Sequence, residues 1–440
     1  MRRVNGMRRV NRRTRTGVVV TAIGCVLVAV SACSATPADE APAEAETDAA
    51  RTLATPQDAE TLAAATNAFA IDLYSRIKGD ANTFFSPYSV TTALTMTWLG
   101  ARESTAEGMA DALHLPVAGV TMHTRLARDA VASASGALES SLAASPDESG
   151  YELRTANSLW GQNGYGFLEE FTAGLKTYYG AGMQRVDFAG DPLGSRLAIN
   201  EWAENETNGH IKDLIPRGGI DKATTLVLTN AVYFKGIWES RFKPESTRKT
   251  VFHGSTGDAE VDMMMQRSSF SYYEDEDLQV VELPYVGERL SMLVVLPREG
   301  LLGGLERVEG GLTVELLEAW LGGMREEEVA VYLPKFEMTW GTTDLSTDLI
   351  ALGMDDAFRD ADFSGMTGTR ELFIGGVFHK AFVAVDEEGS EAAAATAVVM
   401  QRTSMPTGPE FRADRPFMFM IRDDVTGAIL FMGRIVAPEA

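Results

Sequence analysis

Apolar positions recur every three or four residues at about 61–78, 105–114, 121–143, 167–180 and 195–208, and that period predicts helices. Ser86-Pro87 adds a start signal, because a serine oxygen can cap a helix and proline suits its first turn. Beyond it Val90, Ala93, Leu94, Thr97 and Trp98 share one face, which predicts a buried helix. The pattern then changes. Runs of β-branched and aromatic residues predict strands at Glu152–Gly161, Thr225–Lys235, Leu278–Pro284, Leu290–Pro297, Glu328–Met338 and Val377–Asp386. Two last strands close as a hairpin through Asp423-Asp424-Val425-Thr426-Gly427. Helices first and strands later imply an α+β domain rather than a regularly alternating parallel sheet.

One stretch fits neither period. After the alternating VAVDEEG, the run from Ala392 to Gln401 is ten residues without a charge, tiny side chains giving way to Val398, Val399 and Met400. Four consecutive alanines favour helix, while adjacent valines and the lack of a polar face argue against an amphipathic one. As a strand, Ser390, Ala392, Ala394, Thr396, Val398 and Met400 would face one side, all small or apolar enough for burial. A core strand, a helix and a loop able to become a strand all remain open on the residues alone.

With 440 residues, 45% hydrophobic and 23% charged, the chain can build a large core. Length alone predicts two or three domains, but no break in composition follows residue 60, so one large domain is expected. The first 38 residues hold no acid: seven arginines precede the apolar stretch Gly17–Val30, too short to span a membrane and suited to a signal peptide. Val30-Ser31-Ala32-Cys33 resembles a bacterial lipobox with Cys33 as the lipid acceptor, a plain cleavage site being the other reading. MRRVN occurs at Met1 and at Met7, so either can be the start. Residues 34–60, rich in Ala, Pro, Glu, Asp and Thr, read as a flexible acidic tether, leaving 61–440 as the folded domain. Cys25 leaves with the leader, so no internal disulfide is expected. Without the seven arginines, 32 bases face 62 acids, which argues against nucleic-acid binding.

Candidate catalytic chemistry is sparse. Of five histidines, His114, His123, His210, His253 and His379, none lies in an HExxH pair, and neither a G-x-S-x-G elbow nor a phosphate-binding loop occurs. No metal, cofactor or catalytic residue is expected. His379 has Val377, Ala381, Val383 and Val385 on its strand face, so by pattern it is a buried histidine held by hydrogen bonds.

HKAFVAVDEEGSEAAAATAVV closely resembles the hinge of inhibitory serpins, and ADRPFMFMI with GAILFMGRIV resembles their carboxy-terminal signature. FFSPYSVTTALTMTWLGARESTAEGM, TNAVYFKGIWESRF and LPKFEM resemble further motifs of that family in the same order, so the likeness spans about 61–440. It implies helices on a large central mixed sheet, two smaller sheets and an exposed reactive loop at about 389–410. It also implies that Ser86, Ser89, Asn230 and His379 form the shutter between the two central strands. Trp238, Lys335 and Glu387 match the breach, where the loop first enters the sheet. The hinge would comprise Glu387, Glu388, Gly389, Ser390, Glu391, Ala392, Ala393, Ala394, Ala395 and Thr396.

By the same resemblance the chain is a monomeric suicide inhibitor. A target serine protease attacks the loop, forms an acyl-enzyme, and is trapped as a covalent one-to-one complex when the loop inserts between the strands around Asn230 and His379. The family's usual spacing, counted from Gly389, implies a reactive bond at Thr403–Ser404, which suits an elastase-like or subtilisin-like pocket. Arg402–Thr403 is the alternative, for a trypsin-like pocket with a buried acid. A non-inhibitory serpin-fold binding protein, cleaved as a plain substrate, is the other class. The leader implies export and a lipid anchor at the cell surface through Cys33.

Overall fold

A computed structural model describes residues 55–115, 125–142, 150–390 and 408–437. Its helices are α1 (Pro56–Ile77), α2 (Pro87–Trp98), α3 (Glu103–Ala112), α4 (Arg125–Leu142), α5 (Glu169–Tyr179) and α6 (Pro192–Glu206), followed by helices of ten residues or fewer. Helix α1 begins before residue 61, so the expected 34–60 tether is too long at its carboxyl end. The reason is a capping box: Thr55 Oγ1 accepts from Asp58 N (3.3 Å) and Asp58 Oδ2 from Thr55 N (2.7 Å), with Pro56 in the first turn. Helix α2 starts as its sequence predicts, Ser86 accepting from Ser89 N and Pro87 following, but all twelve of its residues are buried rather than one stripe. Thr92 and Thr97 tolerate this by donating to carbonyls one turn back, Thr92 to Tyr88 (3.0 Å) and Thr97 to Ala93 (3.0 Å), whereas the buried Thr91 hydroxyl has no partner.

The strands are β1 (Thr83–Phe85), β2 (Tyr151–Gln162), β3 (Met183–Val186), β4 (Leu226–Ile237), β5 (Arg248–Gly254), β6 (Gly257–Glu274), β7 (Leu278–Pro284) and β8 (Leu290–Pro297). They continue with β9 (Arg325–Pro334), β10 (Phe336–Asp344), β11 (Ile374–Val385), β12 (Gly389–Ser390), β13 (Glu410–Arg412), β14 (Phe417–Asp423) and β15 (Ile429–Ile435). The single strand predicted at Glu328–Met338 is in fact two. The chain leaves one sheet at Pro334, paired with Met263, and joins the other at Phe336, paired with Val385, so Lys335 sits at the crossing.

The central sheet has six strands in the order β10-β11-β4-β2-β3, with β12 added at the end of β4. The other nine strands form one sheet, in the order β1-β15-β14-β8-β7-β6-β9-β13 with β5 paired to β6 off that path. The two smaller sheets implied by the sequence are joined here because β6, eighteen residues long, pairs with β5, β9 and β7 in turn.

Strands β4 and β11 lie parallel, while each is antiparallel to its outer neighbour, β2 or β10. Their ladder runs from Leu226–Ile374 to Tyr233–Phe382 and stops there, although both strands continue. Alternate β4 side chains face opposite layers. Val232 and Phe234 enter the core shared with the nine-stranded sheet, while Val227, Ala231 and Tyr233 pack with Ile211, Leu214 and Ile215 from the segment after α6.

Candidate functional site

The open end of the β4–β11 seam is occupied by the chain leaving β11. Asp386 makes a tight turn there, its Oδ1 accepting from Glu388 N (2.9 Å) and Gly389 N (3.2 Å) while its own N–H donates to Gly389 O (2.8 Å). Gly389 and Ser390 then pair antiparallel with Ile237 and Gly236 of β4. The backbones approach so closely that a Cβ at Gly389 would lie 1.9 Å from Gly236 O, so glycine is required. Ser390 is fully buried and its hydroxyl meets that of Tyr285 at 2.8 Å.

Trp238 fixes this turn from below. Its ring stacks on Tyr285 (centroids 4.5 Å apart, 12° between planes), Nε1 donates to Asp386 O (3.0 Å), and its backbone N–H donates to Glu388 O (2.9 Å). Glu387 is held at both carboxylate oxygens, by Lys335 Nζ (2.7 Å) and Thr247 Oγ1 (2.8 Å). Burial pushes the Glu387 pKa up, but those hydrogen bonds outweigh it and hold the carboxyl below its usual range. The strand crossing at Lys335 thereby anchors the root of the loop.

Midway down the seam, buried His379 of β11 joins Asn230 of β4 through Nδ1 and Oδ1. His379 Nε2 accepts from Ser86 N (3.1 Å), so the proton resides on Nδ1, and burial lowers the ring pKa to about 3, keeping it neutral. Asn230 Nδ2 donates to Ser89 Oγ and to Asn157 Oδ1, and Ser89 Oγ donates to Asn157 Oδ1 (2.9 Å). Ser86 Oγ donates to Leu430 O (2.7 Å). The amino end of α2 is thus tied to both central strands and to β15.

At the last paired rung the outer face carries a ring stack. His210, just beyond α6, lies over Tyr233 of β4 (4.3 Å, 18°) and beside Phe382 of β11 (5.2 Å, 37°), whose own centroids are 6.2 Å apart. Two residues on, Lys212 O accepts from Lys380 Nζ of β11 at 2.6 Å.

The seam is thus tied at its centre and unpaired at one end, where Gly389 and Ser390 begin a strand on β4. The family model described as serpin (serine protease inhibitor) matches residues 64–438. The chain belongs to the serpin family. A serpin-like protein of Thermococcus kodakarensis is 45% identical over 379 residues, 85% of each chain. Human leukocyte elastase inhibitor is 39% identical over 393 residues, covering 86% of this serpin and all of the relative. The solved structure of human thyroxine-binding globulin with its hormone superposes with a TM-score of 0.78 at 29% identity, covering 87% of this chain and all of the other. Serpins are generally protease inhibitors rather than enzymes.

Ser86, Ser89, Asn230 and His379 come together in one network, and Trp238, Lys335 and Glu387 surround one turn with Glu388, Gly389 and Ser390. Glu391 to Thr396, the bond residues Arg402, Thr403 and Ser404, and Cys33 lie outside the described residues. Sequence reasoning missed Asn157, Tyr285, Thr247 and His210. Gly236, in the FKGIW motif, was a usable signal for close strand approach.

Proposed function

We propose that this serpin is a suicide inhibitor of serine proteases, cleaved in the loop after Ser390 and closed by entry of that loop into the β4–β11 seam. The observation that carries this reading is the antiparallel start of β12 on β4, at the end of the seam where β4 and β11 no longer pair. In the proposed inserted state, a strand continuing this register would set Ala392 opposite Phe234, Ala394 opposite Val232 and Thr396 opposite Asn230, on the same face as Ser390. Glu391 would then fall on the other face, opposite Lys235. Insertion replaces one parallel junction by two antiparallel ones, which pair slightly better per residue, and adds hydrogen bonds along the strand. Inhibition is then a race between this insertion and hydrolysis of the acyl-enzyme.

Mixing the folded domain with trypsin, pancreatic elastase and subtilisin tests the proposal. A complex stable in denaturing gels supports it, and a released peptide starting at Ser404 or Thr403 identifies the bond. Complete cleavage by all three without a complex favours the second reading, a serpin-fold carrier, for which the likeness to thyroxine-binding globulin is the supporting observation.

For the amino terminus we propose export, cleavage before Cys33 and lipidation of its thiol, placing the domain outside the cytoplasmic membrane on a tether. The lipobox-like Val30–Cys33 supports this. Mass spectrometry of the mature amino terminus checks it, and an unmodified Cys33 would overturn it.

A further inference from the structure

Strand β2 ends at Gln162 and is followed by Asn163-Gly164, at the end of the central sheet opposite the loop root: Gly161 pairs with Leu226, the first residue of β4, whereas Gly389 pairs with Ile237, the last. Asn163 N–H donates to Val186 O of β3 (2.8 Å), which fixes the main chain there. Its side chain is exposed and makes no described hydrogen bond. Gly164, with φ at +97°, is exposed too. Its N–H has no acceptor among the described residues, and a Cβ there would meet nothing within 4 Å. A glycine nitrogen this unencumbered can swing onto the side-chain carbonyl of the asparagine before it.

Gln162 adds chemistry to this freedom. Its Nε2 donates to Asn163 O (3.1 Å), the carbonyl of the same peptide group that carries Gly164 N. The Gln162 amide is held in that orientation, Nε2 donating to Asp187 Oδ1 (3.0 Å) and Oε1 accepting from Ala189 N (2.9 Å). When Gly164 N loses its proton, charge spreads onto Asn163 O, and a hydrogen bond to that oxygen favours the anion. A second Asn-Gly pair, Asn208-Gly209 just beyond α6, supplies the contrast. Asn208 is also exposed, but Gly209 N–H donates to Glu204 O (2.7 Å), so the helix end holds both the nitrogen and its proton.

We propose that Asn163 is a site of spontaneous covalent modification, its amide converted to aspartate and isoaspartate with Gln162 as the positioning residue. Base removes the proton of Gly164 N, which attacks Asn163 Cγ. The new C–N bond closes a cyclic imide and expels the side-chain nitrogen as ammonia, reprotonated from water. Water then opens the ring: cleavage at Cγ gives aspartate, and cleavage at the backbone carbonyl gives isoaspartate, with an extra methylene in the main chain. That lengthening falls in a segment tied at both ends, by Asn163 N to Val186 O and by Leu168 N to Met366 O (2.8 Å), so the isoaspartyl form is the less stable one. The site lies at the other end of β4 from β12 and stands or falls apart from inhibition.

Incubation of the folded protein at pH 8, in parallel with a sample in denaturant, followed by digestion and mass spectrometry of the peptides that carry Asn163 and Asn208, tests the site. In the folded protein Asn163 should convert at least about tenfold faster than Asn208, while in denaturant both should convert readily. Gln162→Met, with its Tm as the control for folding, should slow the native conversion several-fold and leave the denatured rate unchanged. An intact Asn163 in a folded sample whose denatured counterpart has converted, or equal native rates at Asn163 and Asn208, would overturn the proposal. A native rate in Gln162→Met no lower than that of the wild type would overturn the role of Gln162.

Discussion

The hydroxyls of Tyr285 and Ser390 lie 2.8 Å apart with both residues fully buried, joining the loop root to the aromatic floor formed with Trp238. Arginine at 390 would force a long charged side chain into this fully buried space, a cost that falls on the inserted state as well as the native turn. Ser390→Arg should therefore slow insertion and turn the inhibitor into a substrate: full cleavage, no complex on denaturing gels. Tyr285→Phe keeps the ring stack and removes one hydrogen bond, so it should cost about 1 kcal/mol of stability while leaving inhibition in place. Denaturant titration and complex yield check the pair, and a carrier that does not insert its loop would show no change of behaviour with Ser390→Arg.

Gly389 makes a sharper demand, since any Cβ there meets Gly236 O at 1.9 Å. Gly389→Val must push β12 off β4 before the loop can start inward. A barrier raised by about 1.4 kcal/mol slows insertion tenfold, so the molar excess of inhibitor needed to silence one protease should rise in proportion. Titration of residual protease activity reads this directly, and an unchanged titre would remove β12 from the insertion pathway.

These residues differ in how far the sequence revealed them. The Ser86 cap was legible because capping chemistry is local: a serine, a proline and an apolar face lie within one helix. The start of α1 was not, because Thr55-Pro56-Gln57-Asp58 closes a stretch whose composition resembles a tether. Strand β6 escaped because its Met-Met-Met and Ser-Ser stretches carry little β-branching or alternation. The switch of sheets at Lys335 leaves no mark on a period of two, which is the same in either sheet. Asn157 functions through partners 68 and 73 residues away, a distance that periodicity cannot see. For the hinge and shutter the family resemblance supplied the roles, and the structure adds Asn157 and Tyr285 as their supports.

Glu139 makes stability depend on pH in a definite direction. Its pKa is raised in the fold from 4.5 to about 6, so the native state holds its proton more tightly than the unfolded chain. Its stabilising contribution is present below about pH 4.5 and is lost as pH rises through 6. Glu139→Gln removes this loss, and should gain about 2 kcal/mol relative to the wild type between pH 4.5 and pH 8. Parallel denaturant curves at the two pH values measure it. A difference that does not change with pH would mean that the carboxyl is not desolvated in solution.

His210 touches both strands at the rung where the seam stops, over Tyr233 at 4.3 Å and beside Phe382 at 5.2 Å. A strand entering between β4 and β11 would move them apart by about one strand spacing, roughly 4.8 Å, so the present three-ring arrangement must break at an early step. Ring contacts of this kind contribute about 0.5–1.5 kcal/mol each, and they are lost on opening rather than on insertion as a whole. His210→Ala should therefore speed opening by up to about tenfold while lowering native stability by a similar free energy. His210→Phe, which keeps the stack, should stay close to the wild type. The rate at which a synthetic peptide of residues 390–403 anneals into the intact protein reports opening without any protease. Equal annealing rates in wild type and His210→Ala would show that the stack does not restrain the seam, whereas no annealing in any of the three would count against strand insertion itself.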